Sequence, residues 1–390
     1  MASHPRGNRK LRRPRGWLWT ALCLTGAAAA TPFTPGSDTR VLAEIPAGSA
    51  HVGTPALQLS RSRPEIALPL AQFYVQRARV TGDLRLLGYA ETTLTPLLSQ
   101  SRPLPAALIL HATILQSRHA FEASLAELDR ALTLQPENAQ AWLTRAIVLR
   151  VLGRYEEALG SCDRLARTAD GAITTLCVEG VRGLTGHLQT AYDGLTALPS
   201  QALSGAARVW RYSELGEMAE RIGRDREAED WFVEGLKLDR DDLYMRGAFC
   251  DLLLRQARYS EALELVRDRE SLEPLLLRRA IAEKRLRAPG EVDRVRSILG
   301  NTFALEEQRG DAVHRREQAR FLLEVESQPD KALAAAEANW RTQREPDDVL
   351  ILLRAAWAAR QPQAAQPALE FIRHHKLEDI RINAYRRSES

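Results

Sequence analysis

A small residue recurs through the middle of this 390-residue chain at a near-constant stride: Ala90, Ser124, Ala158, Ala191, Ala228 and Ala262, separated by 34, 34, 33, 37 and 34 positions. A second ladder runs in phase, with Ala78, Ala112, Ala146, Gly216 and Cys250 each twelve residues ahead of a member of the first, and Gly180 eleven ahead of Ala191. Two small residues per unit are what a pair of antiparallel helices needs where their backbones approach closely. A chain of this length would overfill one globular core. In stacked units each repeat meets only its neighbours, so the core lengthens instead of thickening and one array can use most of the sequence.

The third unit shows the pattern in full. Ala141 to Leu149 reads as one helix, Gly153-Arg154 turns the chain, and Tyr155-Glu156-Glu157-Ala158-Leu159 opens the next. Trp142, Ala146, Gly153, Tyr155 and Ala158 follow the order aromatic, small, glycine, tyrosine, alanine. The preceding unit adds Phe121, Ser124, Leu128, Ala131 and the helix-ending Pro136, with Asn138 placed to cap the following helix. On these residues and the 34-residue period the chain resembles the tetratricopeptide repeat family, and in particular exported members from Gram-negative bacteria. The resemblance implies an all-α fold, a right-handed α-solenoid of antiparallel helix pairs. Clearer repeats are expected over residues 63–269 and degenerate ones over 270–376, with a polar tail at 377–390. In other units Arg246 breaks the large first-helix position, and Arg77, His111, Arg145 and Glu179 stand where the family places Leu.

The formal charge of +4 comes from the first 30 residues, where six basic side chains meet no acidic one; the rest carries 48 basic against 50 acidic groups. A nucleic-acid partner is therefore not expected, because the body lacks the basic excess that phosphate-backbone binding requires. The basic start leads into the apolar run Trp17–Gly26 and the small residues Ala27–Ala30, the three-part pattern of a secretory signal. Gly16 to Ala30 falls short of the roughly 20 apolar residues of a membrane span. Residues 1–30 are thus read as a cleaved signal and the mature chain as periplasmic. The alternative is an uncleaved inner-membrane anchor with the array facing the periplasm, the only case in which the membrane is a partner. Residues 31–62, rich in Pro, Gly, Ser and Thr, read as a flexible linker. Cleavage would leave Cys162, Cys177 and Cys250, an odd number, with a Cys162–Cys177 bridge open to geometry.

No phosphate-cradling glycine loop, nucleophile elbow or zinc-binding helix motif is present. The adjacent His374-His375 point about 100° apart on a helix and are poorly placed to share a metal. Arg278, Arg279, Lys284, Arg285 and Arg287 form a basic run diluted by nearby acids, and Glu214, Glu217 and Glu220 share a helix face beside Arg221 and Arg224. No catalytic residue, cofactor or metal site is assigned, and the chain is read as a non-catalytic scaffold; an enzyme using residues 270–345 is the remote alternative. In the family the first helix of each repeat lines the concave groove. Carried onto this chain, that implies a protein or peptide partner bound by Thr113, Gln116, Leu143, Ile147, Arg150, Trp210, Ser213, Glu217, Glu220, Tyr244, Asp251 and Arg255. Ile147, Glu217 and Asp251 stand where family members that clamp a peptide C-terminal carboxylate need Asn, which disfavours that binding mode. Trp210 and Tyr244 are the leading anchors, with packing between helices as their competing role.

Overall fold

The computed structural model describes residues 63–267, 272–287, 289–309 and 314–386. The expected signal segment 1–30 and linker 31–62 lie outside them, and the described residues fall within the unit Gly53–Ser390. All regular structure among them is helical. Six helix pairs follow one another: α1 (Pro64–Thr81) with α2 (Arg85–Leu98), α3 (Pro105–Ser117) with α4 (Phe121–Leu134), α5 (Ala139–Val151) with α6 (Tyr155–Leu165), α7 (Gly171–Arg182) with α8 (Leu188–Ala197), α9 (Gly205–Ile222) with α10 (Asp225–Leu238), and α11 (Leu243–Arg255) with α12 (Tyr259–Val266). Each helix packs on the next in sequence, the contact pattern of an α-solenoid.

Local chemistry sets these boundaries. Asn138 Oδ1 accepts from Ala141 N at 3.0 Å, Asp170 Oδ1 from Ala172 N at 2.7 Å and Asp242 Oδ1 from Met245 N at 2.8 Å, so α5, α7 and α11 each begin on a side chain that satisfies an orphan amide. The two ladders are the packing seam. Ala90, Ser124, Ala158, Ala191, Ala228 and Ala262 are all fully buried. Ser124 Oγ donates to Ala112 O at 2.8 Å, and Cys250 Sγ reaches Ala262 O at 3.6 Å, so the two ladders touch twelve residues apart as the stride requires. Gly216 shows why the residues are small: a Cβ there would overlap the Phe232 ring of α10.

Beyond the six pairs come α13 (Glu273–Arg285), α14 (Pro289–Arg309), α15 (Arg315–Arg320) running into a π-helical turn at Phe321–Val325, α16 (Pro329–Trp340), α17 (Pro346–Ala358), α18 (Gln366–His375) and the short α19 (Asn383–Arg386). These helices do not simply extend the row. Leu333, Val349, Leu352, Leu353, Leu369 and Ile372 share one buried cluster with Leu108, Leu128, Leu149 and Leu165 of α3–α6. The C-terminal residues meet successive inter-helix turns of the array in order. Gln343 pairs with His119, Arg344 N donates to Val151 O at 2.8 Å, Phe371 lies on Gly153, Lys376 on Gly186 and Ile380 on Gly223. The chain thus folds back along its own repeats.

The C-terminal setting changes how several segments read. Residues 377–386, read from composition as the start of a polar tail, include Leu377 and Ile382, which are almost completely buried because they close over the array. The basic run does not form one surface: Arg278 pairs with Asp251 at 2.5 Å, Arg279 is buried against Glu283 at 2.7 Å, and Lys284 Nζ donates to Glu324 O and Val325 O. His375 packs edge-on against Tyr155 and Phe371. The open question of the cysteines is answered: Cys162 and Cys177 form a disulfide joining α6 to α7, and Cys250 is a buried free thiol.

Candidate binding site: the inner face of the array

The first helices of the repeats face a common interior. Arg150 of α5 reaches Glu214 of α9 at 2.5 Å, passing over the intervening α7 at Gly180. A Cβ on Gly180 would stand 2.9 Å from Arg150 Nη1 and 3.6 Å from Glu214 Oε2, so the missing side chain makes room for an ion pair between residues 64 apart. Trp210 Nε1 donates to the same Glu214 oxygen at 2.9 Å, which fixes the indole edge while its rings pack on the buried cluster of α7–α13.

Glu217 lies one turn further along α9 and receives a hydrogen bond from the Tyr244 hydroxyl of α11. Tyr244 keeps 56% of its surface accessible, yet surrounding protein pushes its hydroxyl pKa well above the ordinary range, with Glu217 and Glu345 adding to the effect. Burial first, then the Glu214 and Asp347 charges, raise the Glu217 carboxyl to about 8 against the pull of Tyr244 and Arg150.

Two further charge groups complete the interior. Asp251 of α11 accepts from Arg278 at 2.5 Å and from Arg320 at 2.8 Å; burial pushes its carboxyl up, but the two guanidinium groups outweigh it and hold it at about 2. Arg320 also pairs with Glu324, which meets Arg354 of α17. Glu220 accepts from Arg255 at 3.0 Å and from Arg381 at 3.4 Å, with Arg255 held in turn by Asp225 and Arg381 by Asp347 and Asp379.

Of the residues selected from sequence, the fold gathers Arg150, Trp210, Glu217 and Tyr244 in one group and Glu220, Asp251 and Arg255 in the two beside it. Ser213 is buried in α9. Thr113, Gln116, Leu143 and Ile147 are half-buried, with Thr113 Oγ1 bonded to Ile109 O of its own helix and Leu143 packed on the core. The cations that hold the acidic face of α9 are not its sequence neighbours: Arg221 turns away to donate to Gly183 O at 2.9 Å, and Arg224 reaches Gln189. Residues one apart on a helix diverge by about 100°, which sends Arg221 off the Glu220 face. The structure also brings in Arg320, Asp347 and Arg381, for which the weak repeat pattern after residue 270 gives no placement. No cluster of metal-ligating side chains occurs among the described residues. A separate outer cleft of about 550 Å³ lies beside Trp142 and Arg164; its Arg145 is already bonded to Asp129 and Ser161.

Glu217→Gln tests the interior electrostatics. The folded-state pKa is raised, so the stabilising protonation is fully present below about 4.5 and is lost as pH rises through about 8. The glutamine variant, a neutral stand-in for the protonated acid, should melt with the unaltered protein at pH 4.5 and above it at pH 8.5. A melting difference that stays flat between those pH values would remove the raised pKa.

Stacked helix pairs of about 34 residues with small residues at the crossings define a tetratricopeptide-type α-solenoid. No family model and no curated protein matches the chain. Among solved structures it is similar to TTC0263, a thermophilic tetratricopeptide protein of Thermus thermophilus, with 21% identity, a TM-score of 0.39 and coverage of 49% of this chain and 98% of that one. It is also similar to the APC/C hetero-tetramer Cut9-Hcn1, with 15% identity, a TM-score of 0.46 and coverage of 76% of this chain and 56% of that one. For PilF of Pseudomonas aeruginosa the identity is 17%, the TM-score 0.32, and the coverage 66% of this chain and 98% of that one.

Proposed function

We propose that this chain is an exported, non-catalytic protein-interaction scaffold that holds a protein or peptide partner on the inner face of its helical array. The observation that carries this reading is the interior formed by α5, α9 and α11, where Tyr244 stands open beside the carboxyl of Glu217 and the edge of Trp210 is fixed on Glu214. An accessible aromatic next to a carboxyl group suits a peptide better than a small apolar ligand, because it supplies both contact area and a hydrogen-bonding group. Export is supported by the three-part start of the sequence and by the Cys162–Cys177 bridge, which is stable in an oxidising compartment.

The experiment is paired. Intact mass of the protein purified from the envelope fraction should lack about 30 N-terminal residues, as a cleaved signal requires. Only one thiol, that of Cys250, should be open to alkylation after denaturation without reductant. A full-length mass would instead favour the anchored form, and alkylation of Cys162 and Cys177 without reductant would argue against an oxidising location. For the binding face, Tyr244→Ala should weaken partner capture by about 1–3 kcal/mol with melting preserved, as expected of an exposed anchor. Undiminished capture with preserved melting would take Tyr244 off the binding surface.

A further inference from the structure

The 34-residue stride places Phe73, Arg77 and Val80 of α1 in register with Ala107, His111 and Ile114 of α3, and with Ala141, Arg145 and Val148 of α5. In the two inner repeats these positions receive the second helix of the repeat before. Ala107 and Ile114 are fully buried in one cluster with Leu94 and Leu97 of α2, and Ala141 and Val148 are fully buried in another with Leu125, Leu128 and Leu132 of α4. The middle position meets an acid on that same helix: His111 Nε2 lies 3.6 Å from Glu91 of α2, and Arg145 Nε bonds to Asp129 of α4 at 2.9 Å.

In α1 no helix fills this place among the described residues. Phe73 is 47% exposed and Val80 36%, and Arg77 between them is exposed and forms no ion pair among those residues. The array thus begins on a face shaped for a neighbour, whereas a terminal repeat that ends an array needs a polar outer side. Ile66, Leu70, Phe73, Arg77 and Val80 recur at steps of four, three, four and three, the heptad spacing of a helix that pairs lengthwise with another.

The chemistry of the face indicates its occupant. Glu65, exposed at the start of α1, also forms no ion pair among the described residues, and the unmatched Arg77 stands twelve positions on. Laid antiparallel against a copy of itself, with a two-fold axis between residues 71 and 72, α1 sets Leu70 against Phe73 and Arg77 against Ile66, next to Glu65. Each unmatched charge then meets the opposite one across an apolar seam. A two-fold contact uses one patch twice and requires such self-complementarity. The residues just before α1 are poor material for a filling helix: 31–62 hold four prolines and three glycines, with no run free of both as long as the 14 residues of α4.

We propose that α1 is a dimerisation helix: two copies of this chain join through the Ile66–Val80 face in an antiparallel two-fold pairing, so that the first repeat of each copy is covered by the other. The contact uses none of the residues of the inner face and stands or falls independently of partner capture there.

Sedimentation equilibrium of the full chain is the test. The unaltered protein should dimerise with a dissociation constant of about 1 μM or lower, and a chain still monomeric at about 100 μM would overturn the proposal, whatever else covers α1. Phe73→Asp alters an exposed side chain, so helicity should be kept while the dissociation constant rises at least about 100-fold. An unshifted constant would overturn the proposal. Glu65→Arg and Arg77→Glu should each weaken the dimer at least about fivefold by facing like charges, and the double variant should return to within about twofold of the unaltered protein. A double variant no tighter than the single ones would overturn the two-fold pairing, as would a trimer or an open-ended oligomer, the products of a head-to-tail contact. Both charged positions are solvent-exposed, so this arm remains readable even if Phe73→Asp does not fold.

Discussion

Ala158→Trp should cause a large loss of thermal stability centred on the third repeat, while Glu156→Trp two residues earlier should be almost silent. Ala158 is fully buried on α6 opposite Ala146 of α5, whereas Glu156 is exposed on the outer side of the same helix. A core that must accept extra atoms shifts backbone and side chains at a cost of about 1–3 kcal/mol or more, and indole in place of methyl lies at the upper end. The outer substitution stays within about 0.5 kcal/mol, as surface changes do. The damage should spread, because every repeat is stabilised by the interfaces on either side of it. Cys162 on the same helix is tied to Cys177 of α7, so the lost packing should register first between α5 and α6. Circular-dichroism melting of both variants decides the matter: equal midpoints would mean that the helix-crossing register is wrong.

Leu352→Ala should destabilise a region more than 180 residues away in sequence. The side chain is 1% exposed on α17 and belongs to the cluster that contains Leu108, Leu128, Leu149 and Leu165. Truncating a buried leucine removes transfer energy and leaves a cavity, for about 2–5 kcal/mol. In a simple row of repeats the loss would fall on α16 and α18 alone. Here Arg344 N bonds to Val151 O and Phe371 seats on Gly153, so the turn leading into α17 and the helix α18 abut the turn between α5 and α6. Hydrogen exchange should therefore accelerate in α5 and α6 together with α17. Changes confined to residues 329–386 would show that the C-terminal helices rest on the array without sharing its core.

The contrast between these two experiments follows what was legible in the sequence. Ala158 could be placed because its environment is set by residues within its own 34-residue unit: the helix period puts it opposite Ala146, and the turn at Gly153 brings the two helices together. Leu352 could be recognised as a buried helical residue, but its partners were hidden. The same holds at the inner face. Arg150, Trp210, Glu217, Tyr244 and Asp251 were found by their position on first helices, whereas the ions that complete their charges come from Arg278, Arg320 and Arg381, beyond the segment where the repeat can be followed. Tyr244 and Trp210 look alike in the pattern and differ in the fold, one open to the interior and the other held by Glu214 and the core.

By itself the sequence determined the helical repeat, its stride and the residues at the helix crossings, because these depend on neighbours within one or two units. Only the tertiary structure decided that the last helices fold back against the repeats, that Arg150 passes over Gly180 to reach Glu214, and that Arg381 enters the inner face between Glu220 and Asp347. The contacts these make with the repeats join residues from 64 to 224 positions apart. At such separations no periodicity records the pairing, and it is the curvature of the stacked array that brings the groups together.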